Sequence, residues 1–128
     1  MEYARFERTV NLLLLLALQS EDLPQDSELS VHGRIDELSD IAIILDLVRP
    51  MPIVKKTRKD GALSMPDAVI GLPGDRLPIV VDAKYYQTEI ATSTIRKTLD
   101  DMLLRETPYG LLVCSERSGL ATFNQMSS

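Results

Sequence analysis

The sequence predicts an α/β fold, a mixed β-sheet flanked by helices, built as a single domain over residues 1–128. Three observations predict it. Apolar residues recur at helical spacing near the N-terminus, again from 35 to 48, and again after 92. Between the last two stretches lie short β-rich runs punctuated by Gly, Pro and Asp. The 128 residues, 45% hydrophobic and 26% charged, suffice for one aliphatic core and exclude a disordered chain.

The first helix is expected over residues 2–19, where Tyr3, Phe6, Val10, Leu13, Leu14, Ala17 and Leu18 follow three- and four-residue steps. Its run Leu12–Leu16 is apolar all round, which predicts burial on more than one side or an interface. The run is too short to span a bilayer, and Glu2 and Glu7 cancel the charges of Arg5 and Arg8. Neither a signal peptide nor a membrane anchor is therefore expected. Residues 20–30 are polar, contain Pro24 and read as a loop.

A second helix is expected over 35–48, its stripe formed by Ile35, Leu38, Ala42, Leu45 and Val48 and its end set by Pro50 and Pro52. IVKKTRK then reads as a strand entering a turn at Asp60-Gly61. DAVIGL and LPIVVDAKYY follow as two strands. A third helix spans about 92–105 with the stripe Ile95, Leu99, Met102 and Leu103, capped by a Thr or Ser near 92–93. YGLLVCS closes the order as a short buried strand, and the tail LATFNQMSS as a weak strand that frays.

The two central strands carry the chemistry. Gly74-Asp75 between apolar runs is a two-residue hairpin signal, Gly supplying a positive φ. Counting outwards, Ile70 faces Ile79 and Asp67 faces Asp82. Lys84 points to the same side as Asp82, whereas Ala68, Ile70, Val81 and Ala83 form an apolar opposite side. Cross-strand Cβ atoms lie about 4.5–5.5 Å apart. Two carboxylates at that distance repel, and a hard divalent cation such as Mg²⁺ resolves the repulsion. A salt bridge among Asp67, Asp82 and Lys84 is the alternative, at a cost in desolvation.

Charge is uneven along the chain. The net charge of -5 excludes a protein that coats nucleic acid by bulk charge. Residues 49–59 nevertheless hold Arg49, Lys55, Lys56, Arg58 and Lys59 and no acid. Such a strip either grips phosphates or is simply solvated. The single cysteine, Cys114, excludes an internal disulfide and fits a reducing, cytoplasmic setting.

Pro66-Asp67 followed by Asp82-Ala83-Lys84 resembles the PD-(D/E)XK signature of restriction-endonuclease-like nucleases. YARFERTVNLLLLLAL is similar to the first-helix motif of Mrr-type and Holliday-junction-resolvase-like members, and VVDAKYY to a run in nucleases related to the McrBC system. Helix 35–48 is extra to the minimal core of that superfamily, and Asp82 stands where Glu is commoner.

The resemblance implies a restriction-endonuclease-like core, a three-strand meander plus a further strand flanked by helices. It implies an Mg²⁺- or Mn²⁺-dependent endonuclease that hydrolyses DNA and leaves 5′-phosphate ends. Asp67, Asp82, Glu7 and the Ala83 carbonyl would hold metal, and Lys84 would assist the attacking water. Glu37 competes with Glu7 for the helix position. Lys55, Lys56, Arg58 and Lys59, with Arg96 and Lys97 on the third helix, are the expected DNA contacts. The expected partners are DNA and either a second copy or a subunit that supplies specificity. His32, the single histidine, is expected at the surface or as a cap rather than as a ligand. Two other readings stay open: a non-catalytic binding or assembly module on the same fold, and a plain structural domain.

Overall fold

The computed structural model describes residues 2–19, 23–24, 26–33, 35–85 and 91–115. Three helices, α1 (Glu2–Ala17), α2 (Ile35–Ile44) and α3 (Thr92–Leu104), accompany a five-stranded mixed sheet. Its strands are β1 (Glu28–Val31), β2 (Met51–Pro52), β5 (Ala68–Gly71), β6 (Ile79–Lys84) and β7 (Gly110–Cys114), in the order β2-β1-β5-β6-β7. The pairs β1·β5 and β5·β6 are antiparallel, and the outer pairs β1·β2 and β6·β7 are parallel. A separate hairpin joins β3 (Lys56–Thr57) to β4 (Leu63–Ser64).

The core lies between the sheet and α1 with α2. Val10, Leu14, Leu15 and Leu18 meet Leu29 and Val31 of β1, Ala68 and Ile70 of β5, and Val81 and Ala83 of β6, with Leu38 of α2 closing one side. Each Val, Leu or Ile among them contributes about 1.5–3 kcal/mol on full burial. α3 packs against β6 and β7 on the opposite face, where it meets the side chain of Asp82.

The central hairpin has the expected register, with Ala68 opposite Val81 and Ile70 opposite Ile79. Gly74 takes the expected positive φ, 72°. Several expectations are corrected. Residues 28–30, expected as loop, belong with Val31 to a strand, and β1 takes the place in the sheet expected for IVKKTRK. Leu29 and Val31 alternate inward, which is what recruits so short a segment. IVKKTRK instead forms only the two-residue β3, outside the main sheet, with its turn at Asp60-Gly61 as expected.

α2 ends at Ile44, before the prolines. The Leu47 N–H donates to the Ala42 carbonyl (2.7 Å) and the Asp46 N–H to that of Ile43 (3.3 Å), with Asp46 at φ 55°. This is a Schellman closure with an acid at the left-handed position, and Leu45 and Val48 consequently stay exposed. α1 is buried on one side only, since Leu13 and Leu16 are exposed. β7 is an edge strand, so Leu111 is exposed rather than buried. The expected tail strand lies outside the described residues.

α3 departs furthest from its expected stripe. Its buried residues are Thr94, Ile95, Thr98 and Asp101, whereas Leu99 and Leu103 are exposed. Ala91 occupies the N-cap position without a side-chain hydrogen bond, so neither Thr92 nor Ser93 caps the helix. The polar face exists because it serves two buried acids. Thr98 serves Asp82, and Asp101 accepts from Ser64 Oγ (2.5 Å) and Arg58 Nη2 (2.9 Å). Arg105 adds bonds to Ser64 Oγ (2.8 Å) and the Val54 carbonyl (3.0 Å), so the β3–β4 hairpin is bound to α3 through charge rather than through apolar packing.

Candidate metal-binding site

One row of residues runs across the sheet at the end of the central hairpin. The His32 N–H donates to the Asp67 carbonyl (3.0 Å), extending the β1·β5 pairing by one residue. The Asp67 N–H in turn donates to Asp82 Oδ1 (3.2 Å), and the Ala83 N–H to Asp67 Oδ2 (2.7 Å). His32, Asp67 and Asp82 are thereby neighbours across three strands. The expected opposition of Asp67 and Asp82 is present, each carboxylate bonded to the other strand's backbone.

Glu7 reaches this row from α1. Phe6 packs against Tyr85 with ring centroids 5.7 Å apart, which pins the start of α1 beside the end of β6, next to Lys84. Ligand atoms of Glu7, His32 and Asp67 all lie within 4.8 Å of one another. Gly33 follows His32 with φ 99°, and a Cβ built there would sit 3.7 Å from Glu7 Oε1. That glycine turns the chain from β1 towards α2 in a backbone conformation that a side chain rarely adopts. Glu37, the competitor of Glu7, instead pairs with Arg8 (3.3 Å) at the rim of the same pocket.

Burial and charge act together here. Asp67 is only 9% exposed, and burial pushes its carboxyl above the ordinary value. The Ala83 N–H opposes that shift, Asp82 adds to it, and Lys84 and Lys97 oppose it. Burial likewise pushes Glu7 up, helped by Asp67 and opposed by His32 and Lys84. Three carboxylates thus share a poorly hydrated corner with two ammonium groups near enough to be felt.

Asp82 itself is fully buried and has both oxygens occupied, Oδ2 by Thr98 Oγ1 (2.7 Å) and Oδ1 by the Asp67 N–H. It is absent from the three-residue cluster that could hold an ion. Ala83 meets the site through its N–H. The residues fit a divalent cation at Glu7, His32 and Asp67, because a buried and a half-buried carboxylate beside an imidazole nitrogen offer a compact donor set. His32 is exposed, as expected, yet it belongs to this set. The signal for it is its place one residue beyond β1, a strand that begins in a polar stretch expected as loop.

The expected DNA contacts divide. Lys55, Lys56, Lys59 and Arg96 are exposed, and Lys97 is half-buried with its charge felt at Asp67. Arg58 is partly committed within the protein: its Nη2 donates to the buried Asp101 (2.9 Å). The groove beside it, about 610 Å³, is also lined by Asp60, Asp100 and Glu106, which weakens its attraction for an anion.

Comparison of the chain with family models, with curated proteins and with solved structures found no match. Among the described residues, no helix is long and apolar enough to cross a membrane.

Proposed function

We propose that this protein is a divalent-cation-dependent hydrolase of DNA phosphodiester bonds. The observation that carries the reading is the convergence of Glu7 and Asp67 with the charge of Lys84 at the end of the β5–β6 hairpin. The order of elements supports it. α1, the antiparallel strands β1, β5 and β6, then α3 and the parallel strand β7 follow the order expected of a restriction-endonuclease-like core. On that reading α2 and β2 to β4 are an insertion between the first and second strands.

Glu7 and Asp67 would hold the cation with Asp82 behind them. When bound, Mg²⁺ or Mn²⁺ supplies Lewis-acid polarisation of a phosphoryl oxygen and a more acidic bound water. The chain's own groups do the rest. Lys84 neutralises charge that builds on the phosphoryl oxygens, a task suited to a point-charge ammonium. Asp82 fixes the Asp67 backbone and Thr98, which keeps the hairpin and α3 in one arrangement. Lys97 adds positive potential that offsets the approach of a polyanion to an acidic corner.

Cleavage of plasmid and branched DNA in Mg²⁺ or Mn²⁺ tests this. Lys84→Ala is expected to lose about a hundredfold or more in rate. Equal cleavage by both proteins would remove Lys84 from the mechanism, and none by either would remove the hydrolase. A second reading, a non-catalytic binding or assembly module, is favoured by one observation: Asp82 already has both oxygens engaged by the protein. Cation binding without cleavage of any DNA form is its signature.

A further inference from the structure

The pocket on the α1 side of the site holds a feature that the hydrolase reading leaves unused. It has a volume of about 180 Å³ and is lined by Glu7, Arg8, Asn11, His32 and Gly33. Asn11 lies one turn beyond Glu7 on α1 and is only 4% exposed, yet its side-chain oxygen Oδ1 has no hydrogen-bond partner among the described residues. An orphaned buried acceptor costs about 1–3 kcal/mol. It persists where something outside the protein's own atoms satisfies it, and an acceptor can be satisfied only by a donor or a cation. Two of the lining residues, Glu7 and His32, form with Asp67 a cluster whose ligand atoms lie within 4.8 Å of one another. Orphan oxygen and donor cluster thus meet through one cavity.

We infer that the cluster bordering this cavity takes Mn²⁺ in preference to Mg²⁺, with His32 as a nitrogen ligand beside the Glu7 and Asp67 carboxylates. The argument is the donor set. Mg²⁺ favours an all-oxygen, near-octahedral shell and gives up its waters reluctantly, whereas imidazole nitrogen favours first-row transition ions. One nitrogen and two carboxylates suit Mn²⁺, which accepts both donor types and keeps waters in its remaining positions. A water of that shell is a donor of the kind Asn11 Oδ1 lacks. His32 is held in place through its own backbone, its N–H bonded to the Asp67 carbonyl, with Gly33 turning the chain directly after it. Its ring therefore comes to the carboxylates without a long flexible approach, which lowers the entropy cost of ligation.

The inference rests on the cation site of the proposed hydrolase but not on DNA cleavage, and it is tested without DNA. Titration calorimetry of the full chain with Mn²⁺ and with Mg²⁺ gives the preference. Pulsed electron paramagnetic resonance on the Mn²⁺ form reads nitrogen-14 coupling directly. The expected results are tighter binding of Mn²⁺ than of Mg²⁺, nitrogen coupling in the wild type, and its loss in His32→Gln. That variant is expected to weaken Mn²⁺ by at least about tenfold, since even outer-shell changes cost that much, and to leave Mg²⁺ nearly unchanged. His32 is exposed, so its replacement leaves the core intact, and the wild-type spectrum needs no variant at all.

Equal affinity for the two ions, or Mn²⁺ bound without nitrogen coupling, overturns the inference. No Mn²⁺ binding alongside Mg²⁺-dependent cleavage overturns it and leaves the hydrolase standing. Nitrogen-coupled Mn²⁺ without cleavage supports it and removes the hydrolase.

Discussion

Gly33 makes the most exacting local demand in the site. At φ 99° it occupies backbone space that an L side chain rarely adopts, although an added Cβ would meet nothing closer than Glu7 Oε1 at 3.7 Å. The penalty of a substitution is thus conformational rather than steric. Gly33→Ala is expected to cost about 1–3 kcal/mol by denaturant titration and to weaken cation binding as His32 shifts. A Gly33→Ala protein of unchanged stability would mean that the turn into α2 tolerates another conformation. Asp67 illustrates a different constraint. Its pairing with Asp82 was legible because hairpin register follows from a single turn, and Gly74-Asp75 marks that turn in the sequence. Its companionship with Glu7 and His32 was not legible, since it depends on where a helix and a distant strand end come to rest.

At the level of elements, strong periodicity marks a helix but not the face that the helix buries. α1 and α3 lie close to their expected bounds because apolar spacing announces a helix. The face that α3 buries is not the apolar one, since Thr94, Thr98 and Asp101 look solvent-facing until Asp82, Ser64 and Arg58 are brought against them. β1 was lost for a related reason: with only Leu29 and Val31 pointing inward, four residues carry too little pattern to stand out from an acidic loop.

The helix ends offer a prediction of their own. α3 closes with the Thr107 N–H donating to the Met102 carbonyl (3.1 Å) and with Glu106 at φ 53°, the same closure as α2. Glutamate there pays the steric cost of left-handed backbone and sets a negative charge against the negative end of the helix. Glu106→Gly is expected to raise stability by about 1 kcal/mol in chemical denaturation. A fall in stability would show that the Glu106 side chain makes a contact worth more than the strain.

Across the whole molecule, the corner where α1, β1, β5 and β6 meet sets stability against function. Glu7 and Asp67 both titrate above their ordinary values of 4.5 and 3.8, chiefly through burial, so the folded protein binds these protons more tightly than the unfolded chain does. Their contribution to stability is therefore full below pH of about 4 and is lost as pH rises through the raised values. A bound divalent cation reverses that slope: its ligands must be deprotonated, so its stabilising effect grows over the same pH window.

Asp67→Asn separates the two effects. It keeps an oxygen for the Ala83 N–H, removes the buried charge, and removes a cation ligand. In thermal unfolding at pH 7.5 without divalent ions, Asp67→Asn is expected to exceed wild type by about 1 kcal/mol, roughly 4 °C in Tm. Added Mn²⁺ is expected to raise the wild-type Tm and leave the variant's unchanged, and at pH 4 the difference between the two proteins is expected to shrink. A variant less stable than wild type at pH 7.5 without divalent ions would mean that ionised Asp67 is held by Lys84, Lys97 and the Ala83 N–H strongly enough to need no ion, which makes the corner a structural salt-bridge cluster.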